Sequence, residues 1–450
     1  MHYLTVVARK IDRTRIFLAV VLLLYLWDVA FFVGLRNPDH VPHPFSLFRT
    51  LGDIEVLRGF PAMLREVIFS FASGSLIGIA IGALVLYSSS LSALIRSLLR
   101  ILLWLPLIVI FAVPAPLVMG IIAVALCACY YYIAARSSLG LRLSDAWIYT
   151  AREALLQALL VCLLSQLWVS HWQWSSFTTF MKVGPGFKVF ATLVGLMGFI
   201  NWCFRSDFQL MANTHAAILS QELESKKRLS FNCFQASAIY RLTLLATVSL
   251  LFYLSFGSIL NNQIWRDMVL SLLEVIGGIV SGGLVGQGVF VLLSRKAGLR
   301  KLVFPLLPLM HISAIALWLI VFVVWLNWFR PANSSFLYFW HKIIAVGCLT
   351  FFPLVQSLWG FRDRPIWYRV LIAIHEALPI AFVAMFFGEA YGATQGVGFL
   401  AVVASPTQQS DKAIAICFLT FVLMVGLSVL LRSAVITLYS SEKTAQAVPA

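Results

Sequence analysis

The sequence predicts an all-α, polytopic membrane protein of about twelve transmembrane helices, arranged as two tandem repeats of about six helices each. Three observations predict it. Of the 450 residues, 61% are hydrophobic and only 11% charged, whereas a soluble domain carries about a quarter charged side chains. Apolar runs near or above the roughly 20 residues needed to cross a bilayer recur along the whole chain. Landmarks also repeat in order. Arg65-Glu66-Val67-Ile68-Phe69-Ser70 returns as Arg266-Asp267-Met268-Val269-Leu270-Ser271. Gly140-Leu141-Arg142, Trp147 and Glu153-Ala154-Leu155 return as Gly360-Phe361-Arg362, Trp367 and Glu376-Ala377-Leu378. A period this long means duplicated architecture rather than a solenoid. Two apolar half-bundles favour transport over bond chemistry.

The first repeat, residues 1–204, is expected to place spans near 16–35, 66–88, 98–115, 117–135, 153–172 and 187–204. The run from Ile16 to Leu35 has a basic flank, lacks a small-residue cleavage site and contains Trp27 and Asp28, so it reads as a retained helix. A polar linker over 205–240 follows, with helix-forming, charged residues from Asp207 to Arg228 that predict a solvated connecting helix. The second repeat, residues 241–432, is expected to span near 241–260, 267–293, 302–328, 341–358, 371–388 and 413–432, leaving 433–450 as a tail. Gly74, Gly78 and Gly82 in one helix, and Gly278, Gly282 and Gly286 in its counterpart, recur every fourth residue. Such spacing gives a smooth face on which another helix packs closely, so both helices are expected to be core elements rather than lipid-facing ones.

The net charge of +15 is spread in short basic groups between apolar runs, such as Arg9, Lys10, Arg13 and Arg15, and Arg295, Lys296, Arg300 and Lys301. That pattern fits positive cytoplasmic loops, with both termini cytoplasmic, and shows no nucleic-acid patch. The seven cysteines fall in apolar spans or cytoplasmic segments, so no disulfide framework is expected. Cys127-Ala128-Cys129 reads as small packing residues. No P-loop, His-Glu-x-x-His, Gly-x-Ser-x-Gly or Cys-x-x-Cys occurs, so the chain is expected not to be an enzyme and to bind no cofactor or metal itself. Among ionisable residues inside spans, Glu274 lies one turn before Gly278, where it either lines a pathway or makes a helix–helix hydrogen bond. Asp28 sits nearer an interface, and His311 has no second ligand nearby.

The most specific string is Gly388-Glu389-Ala390-Tyr391-Gly392-Ala393-Thr394-Gln395-Gly396-Val397-Gly398-Phe399-Leu400. It resembles the Glu-x-x-Gly-Ala-x-x-Gly-x-Gly-x-Leu segment of permease subunits of the nitrate, sulfonate and taurine class of ATP-binding-cassette importers. Val41-Pro42-His43-Pro44, Ser70, Ser271, Pro305, Pro308, Ile312-Ser313-Ala314-Ile315-Ala316 and Ala377-Leu378-Pro379 resemble other family landmarks in the same order. The resemblance implies a binding-protein-dependent permease of the bacterial inner membrane, with both permease halves fused in one chain. Its partners would be cytoplasmic ATPase subunits that bind ATP, a periplasmic substrate-binding protein, a small solute such as an organic anion, and membrane lipid. It further implies that the segments Leu139 to Arg152 and Leu358 to Ile372 couple to the ATPase, through Gly140, Arg142, Trp147, Gly360, Arg362, Arg364 and Trp367. Glu389, Gly392, Gly396 and Gly398 form the periplasmic motif.

Two departures stand beside that resemblance. The family's Glu-Ala-Ala-x-x-x-Gly coupling signature is not intact, with Ile374-His375 standing where Leu-Pro is usual. In the first repeat Gln166, Val169 and Gln173 stand where Glu389, Gly392 and Gly396 align. The arginines of the coupling segments serve either an acidic partner or the positive-inside bias. Trp147, Trp367 and Tyr368 either fill a groove on a partner or anchor at the interface. An ion-coupled secondary transporter using Glu274 and Asp28, and a non-transporting degenerate homologue, are the alternative readings.

Overall fold

The computed structural model describes residues 54–109, 116–173, 212–220, 262–304, 335–392, 395–404 and 410–446, with positions 246 and 307. The expected spans near 16–35, 187–204 and 241–260, most of that near 302–328, and Asp28 and His311 lie outside the described residues. Within them the chain is helical, without a strand. Among the described residues six helices are long and apolar enough to cross a membrane: Leu64–Val85, Leu117–Ser137, Asn262–Arg295, Lys342–Gly360, Ile366–Ala390 and Asp411–Val435. These are the helices of a membrane-embedded, polytopic protein.

The described helices fall into two compact units. The first holds α1 (Ile54–Val85), α4 (Pro116–Ser137), α5 (Leu143–Gln173) and α8 (Ala297–Val303). The second holds α2 (Ser89–Leu102), α3 (Leu105–Val109), α6 (212–220), α7 (Asn262–Arg295), α9 (Ser335–Gly360), α10 (Ile366–Gly392), α11 (Val397–Ala404) and α12 (Ser410–Gln446). The units interleave in sequence: α2 and α3 come from the first half of the chain, yet α3 packs with α10 and α12 and Arg100 of α2 pairs with Glu376 of α10.

In the first unit α1 packs chiefly on α4, and α4 on α5. The glycines dictate the α1–α4 contact. A Cβ on Gly74 would sit 2.7 Å from that of Val124, one on Gly78 would overlap the Ala125 carbonyl, and one on Gly82 would press on Tyr132 and Cys129. The contact points advance together along both helices, so α1 and α4 run parallel. The partner face is itself small, including Ala125, Ala128 and Cys129, which gives Ala128 and Cys129 a packing role; Cys127 and Cys129 are both buried.

The second unit repeats this construction. Gly278 meets Val346, Gly282 meets Gly347 and Thr350, and Gly286 lies against Leu354 and Val355, so α7 and α9 also run parallel. Thr350 turns its hydroxyl back to the Val346 carbonyl at 2.9 Å, which lets a polar residue sit fully buried at the crossing. α10 then packs on α9, α11 and α12, around Phe382, Phe386 and Phe387.

Three expectations are corrected. Of the span expected near 98–115, residues 110–115 lie outside the described residues; over 98–109 the apolar run is broken at 103–104, because Pro106 has no N–H for the Leu102 carbonyl and its ring crowds it, so α2 ends at Leu102 and α3 restarts at Leu105. The glycine-faced helices are core elements on one side only. Opposite the glycines, α1 exposes Ile68, Phe69, Leu76 and Leu84, and α7 exposes Val269, Leu273, Val280 and Leu284, apolar faces suited to lipid. Finally, the linker helix is not solvated all round. α6 buries Ala212, Ala216, Ile218 and Leu219, with Ala216 and Leu219 in a cluster with Phe361, Tyr368, Ile372 and Val435.

Candidate functional site

The motif from Glu389 to Leu400 closes a polar centre in the second unit. α10 ends at Gly392, and α11 begins at Val397 with backbone N–H groups that no preceding helical turn can satisfy. Side chains from other positions take that duty. Glu389 accepts from the Gly398 N–H at 2.8 Å, and Ser271 of α7 accepts from the Val397 N–H at 3.2 Å while donating to Glu389 at 2.5 Å. A carboxylate at the positive end of a helix is also favoured by the helix dipole. Glu389 is 0% exposed, so it holds the loop from inside the protein.

This explains the motif's glycines. Gly396 has φ +110°, and a Cβ there would overlap the Glu389 carboxyl. A Cβ on Gly398 would collide with the Phe386 carbonyl and the Glu389 side chain. Gly392 lies at the C-terminus of α10. The glycines at 396 and 398 are what a carboxylate clamp requires of the chain it grips.

Glu274 joins the same centre. It lies three residues after Ser271 on α7 and so projects from the same face. One of its oxygens pairs with Lys342 Nζ of α9 at 2.7 Å. Lys342 also donates to the Gln395 carbonyl at 3.4 Å, next to Gly396. The result is a ring running from Ser271 to Glu389, to the Gly398 N–H and back along the turn to Gln395, then to Lys342 and Glu274, built by α7, α9, α10 and the turn into α11. Glu274 is 1% exposed, and its second oxygen, Oε2, has no hydrogen-bond partner. Asp267 is buried one turn before Ser271, 3.8 Å from the exposed Arg266. Lys342 is the residue that sequence reasoning missed: at the edge of a span it reads as a flanking cation, and only the packing of α9 on α7 turns it inward.

A second polar centre lies at the other end of α10. Glu376 accepts from Arg100 of α2, sits 3.2 Å from His215 of α6 and 3.0 Å from the adjacent His375. His375 in turn lies 3.4 Å from Ser428 of α12 and lines a small cavity with Leu219, Ile372, Arg432 and Val435. One carboxylate thus ties α2, α6 and α10 together, with α12 joined through His375. Its repeat partner Glu153 is also buried, held by Arg152 at 2.7 Å.

The two expected coupling segments are helix-connecting turns, one in each unit. In the first, Gly140 takes φ +59°, ending α4 in a conformation glycine adopts without strain. Arg136 caps that turn on the Leu141 carbonyl at 2.7 Å. Arg142 and Trp147 are exposed beside Leu143 and Ile148. In the second, Arg362, Arg364 and Trp367 are exposed beside Ile366, whereas Trp359, Phe361, Tyr368 and Ile372 are buried. Gly360 is pressed against α6, where a Cβ would lie 2.7 Å from the Ala212 carbonyl. Only the tip of Leu358 to Ile372 is therefore free to meet a partner. The side chains of Gln166, Val169 and Gln173 lie outside the described residues.

Among the described residues no group of three or more His, Cys, Asp or Glu is placed to hold a metal ion. The arrangement offers a buried, charged clamp across membrane helices and two exposed Arg/Trp tips. Compared with known proteins, the chain matches no family model, no curated protein and no solved structure.

Proposed function

We propose that this chain is the permease of a solute importer of the ATP-binding-cassette type, with two fused permease halves, about twelve spans and no ATPase of its own. The observation that carries the reading is the duplicated construction: a glycine-faced apolar helix running parallel to a second helix, followed by a turn that exposes arginine and tryptophan. Parallel neighbours require the intervening chain to return to its starting side, which supports further crossings between α1 and α4 and between α7 and α9. The clamp formed by Glu389, Gly396 and Gly398 supports the family resemblance of that segment by giving those three positions a physical role.

In this reading Arg142 and Trp147, and Arg362, Arg364 and Trp367, are the points at which cytoplasmic ATPase subunits push. The opposite side, near Gln395, receives solute from a periplasmic binding protein, and the protein resides in the inner membrane. The test is purification of the chain from its native membrane in mild detergent, with identification of bound proteins. Recovery of a P-loop ATPase, lost when Arg362, Arg364 and Trp367 are replaced together by alanine, is the expected result. A chain that purifies alone under several gentle conditions overturns it.

The buried Glu274–Lys342 pair favours a second reading, an ion-coupled transporter, because charges in a span are costly and usually serve the transported species. Uptake that follows an ion gradient and ignores ATP depletion would select it.

A further inference from the structure

We propose that Glu274 and Glu389 hold a single exchangeable proton between them, and that this proton keeps α11 clamped to α7. The site stands on geometry. Ser271 and Glu274 share one face of α7, and Ser271 is hydrogen-bonded to Glu389, so the two carboxyls are neighbours across the α7–α10 contact and interact electrostatically. Lys342 closes the ring by binding Glu274 at 2.7 Å and the Gln395 carbonyl at 3.4 Å. The ring thus contains two carboxyls and one ammonium. Both carboxyls and the lysine are buried, and Glu274 Oε2 has no partner.

Charge counting gives the proton its place. With both carboxyls ionised, one negative charge in the ring has no counter-ion in a medium that penalises it, and like charges on adjacent helices repel. One proton on Glu274 lets Oε2 donate toward Glu389, leaves Glu389 as the anion opposite Lys342, and keeps both acceptor bonds to Ser271 and Gly398. Asp267 on α7 is the further buried carboxyl nearby, facing the exposed Arg266; α9 contributes Lys342 and α10 contributes Glu389. α11 brings only backbone N–H groups to the ring. Gln395 is exposed, which gives the proton a short route to water beside the ring. When the proton leaves, the repulsion falls on Glu389, the side chain that grips α11. The site is independent of whether an ATPase drives the chain, so its test and that of the permease reading fail separately.

The experiment uses the full chain in lipid nanodiscs, with infrared spectra across a pH titration and hydrogen exchange followed over residues 397–404. The expected result is a protonated-carboxyl C=O band that shifts in D2O and disappears as pH rises. Exchange protection of 397–404 should fall in the same pH range, and added Na+ at fixed pH should change neither. E274Q, which keeps the volume and the hydrogen-bonding capacity, should lose the band while 397–404 stays protected at all pH values. Absence of the band in the wild-type chain, its persistence in E274Q, or its loss on adding Na+ instead of raising pH overturns the proposal. If E274Q does not fold, the wild-type titration and its coincidence with exchange at 397–404 decide alone.

Discussion

Gly282 and Gly283 are adjacent on α7 and differ only in what they face, which makes them a test of the close-packed helix pair. A methyl group at Gly282 would meet the Gly347 carbonyl and the Thr350 hydroxyl, each at 2.5 Å, and the carbonyl belongs to a helix backbone that cannot step aside. One at Gly283 has nothing within 4 Å. Replacing glycine by alanine in a helix gains about 1 kcal/mol in propensity, and both variants receive that gain. Overpacking a closely packed contact costs about 1–3 kcal/mol, and only Gly282→Ala incurs it. The two variants should therefore differ by about 1–3 kcal/mol, with Gly283→Ala at least as stable as the parent. Reversible unfolding of the purified chain in mixed micelles at increasing SDS fraction reads the difference. Equal midpoints for the two variants would refute the claim that α7 and α9 meet through Gly282.

Further substitutions probe the polar centres and the turns. Lys342→Met leaves the buried Glu389 anion without its counter-ion and should cost about 3–5 kcal/mol in the same unfolding assay, with most of it recovered when Glu389→Gln is added. Glu389→Ala leaves the Gly398 N–H buried without its acceptor, a loss of about 1–3 kcal/mol that should appear as faster hydrogen exchange confined to 397–404. Gly140→Ala meets open space, so it should pay only the left-handed backbone term of about 1–2 kcal/mol. Gly396→Ala should pay more, because its methyl would also displace the Glu389 carboxyl; equal costs would argue against the clamp. Gly360→Leu should free α6 from the second turn, detected as new protease sensitivity within 212–220, while Gly298→Leu on α8, where a Cβ meets nothing within 4 Å, should leave the digest unchanged.

Composition and periodicity were enough to reveal the solvent and the class of this protein, because a helix must be about 20 residues long and apolar to satisfy its backbone in lipid. Glycine spacing likewise identified the helix faces that pack, since a glycine row is legible without knowing its partner. The motif string pointed to Glu389, Gly396 and Gly398, and Glu274 stood out as a charge inside an apolar run. What one-dimensional spacing could not supply was partnership. Lys342 looks like a flanking cation, and Arg100, His215 and Glu376 are scattered across 276 positions; only the packing of α9 on α7, and of α2 and α6 on α10, makes them neighbours. The break between α2 and α3 was written in Pro106 and overlooked in favour of hydropathy. The sequence by itself determined that the chain is helical and lipid-solvated, because those follow from local composition. Which charges are buried together, and which turns remain exposed, was decided by tertiary structure, because an ion pair's energy depends on a distance across helices that no spacing along one helix encodes.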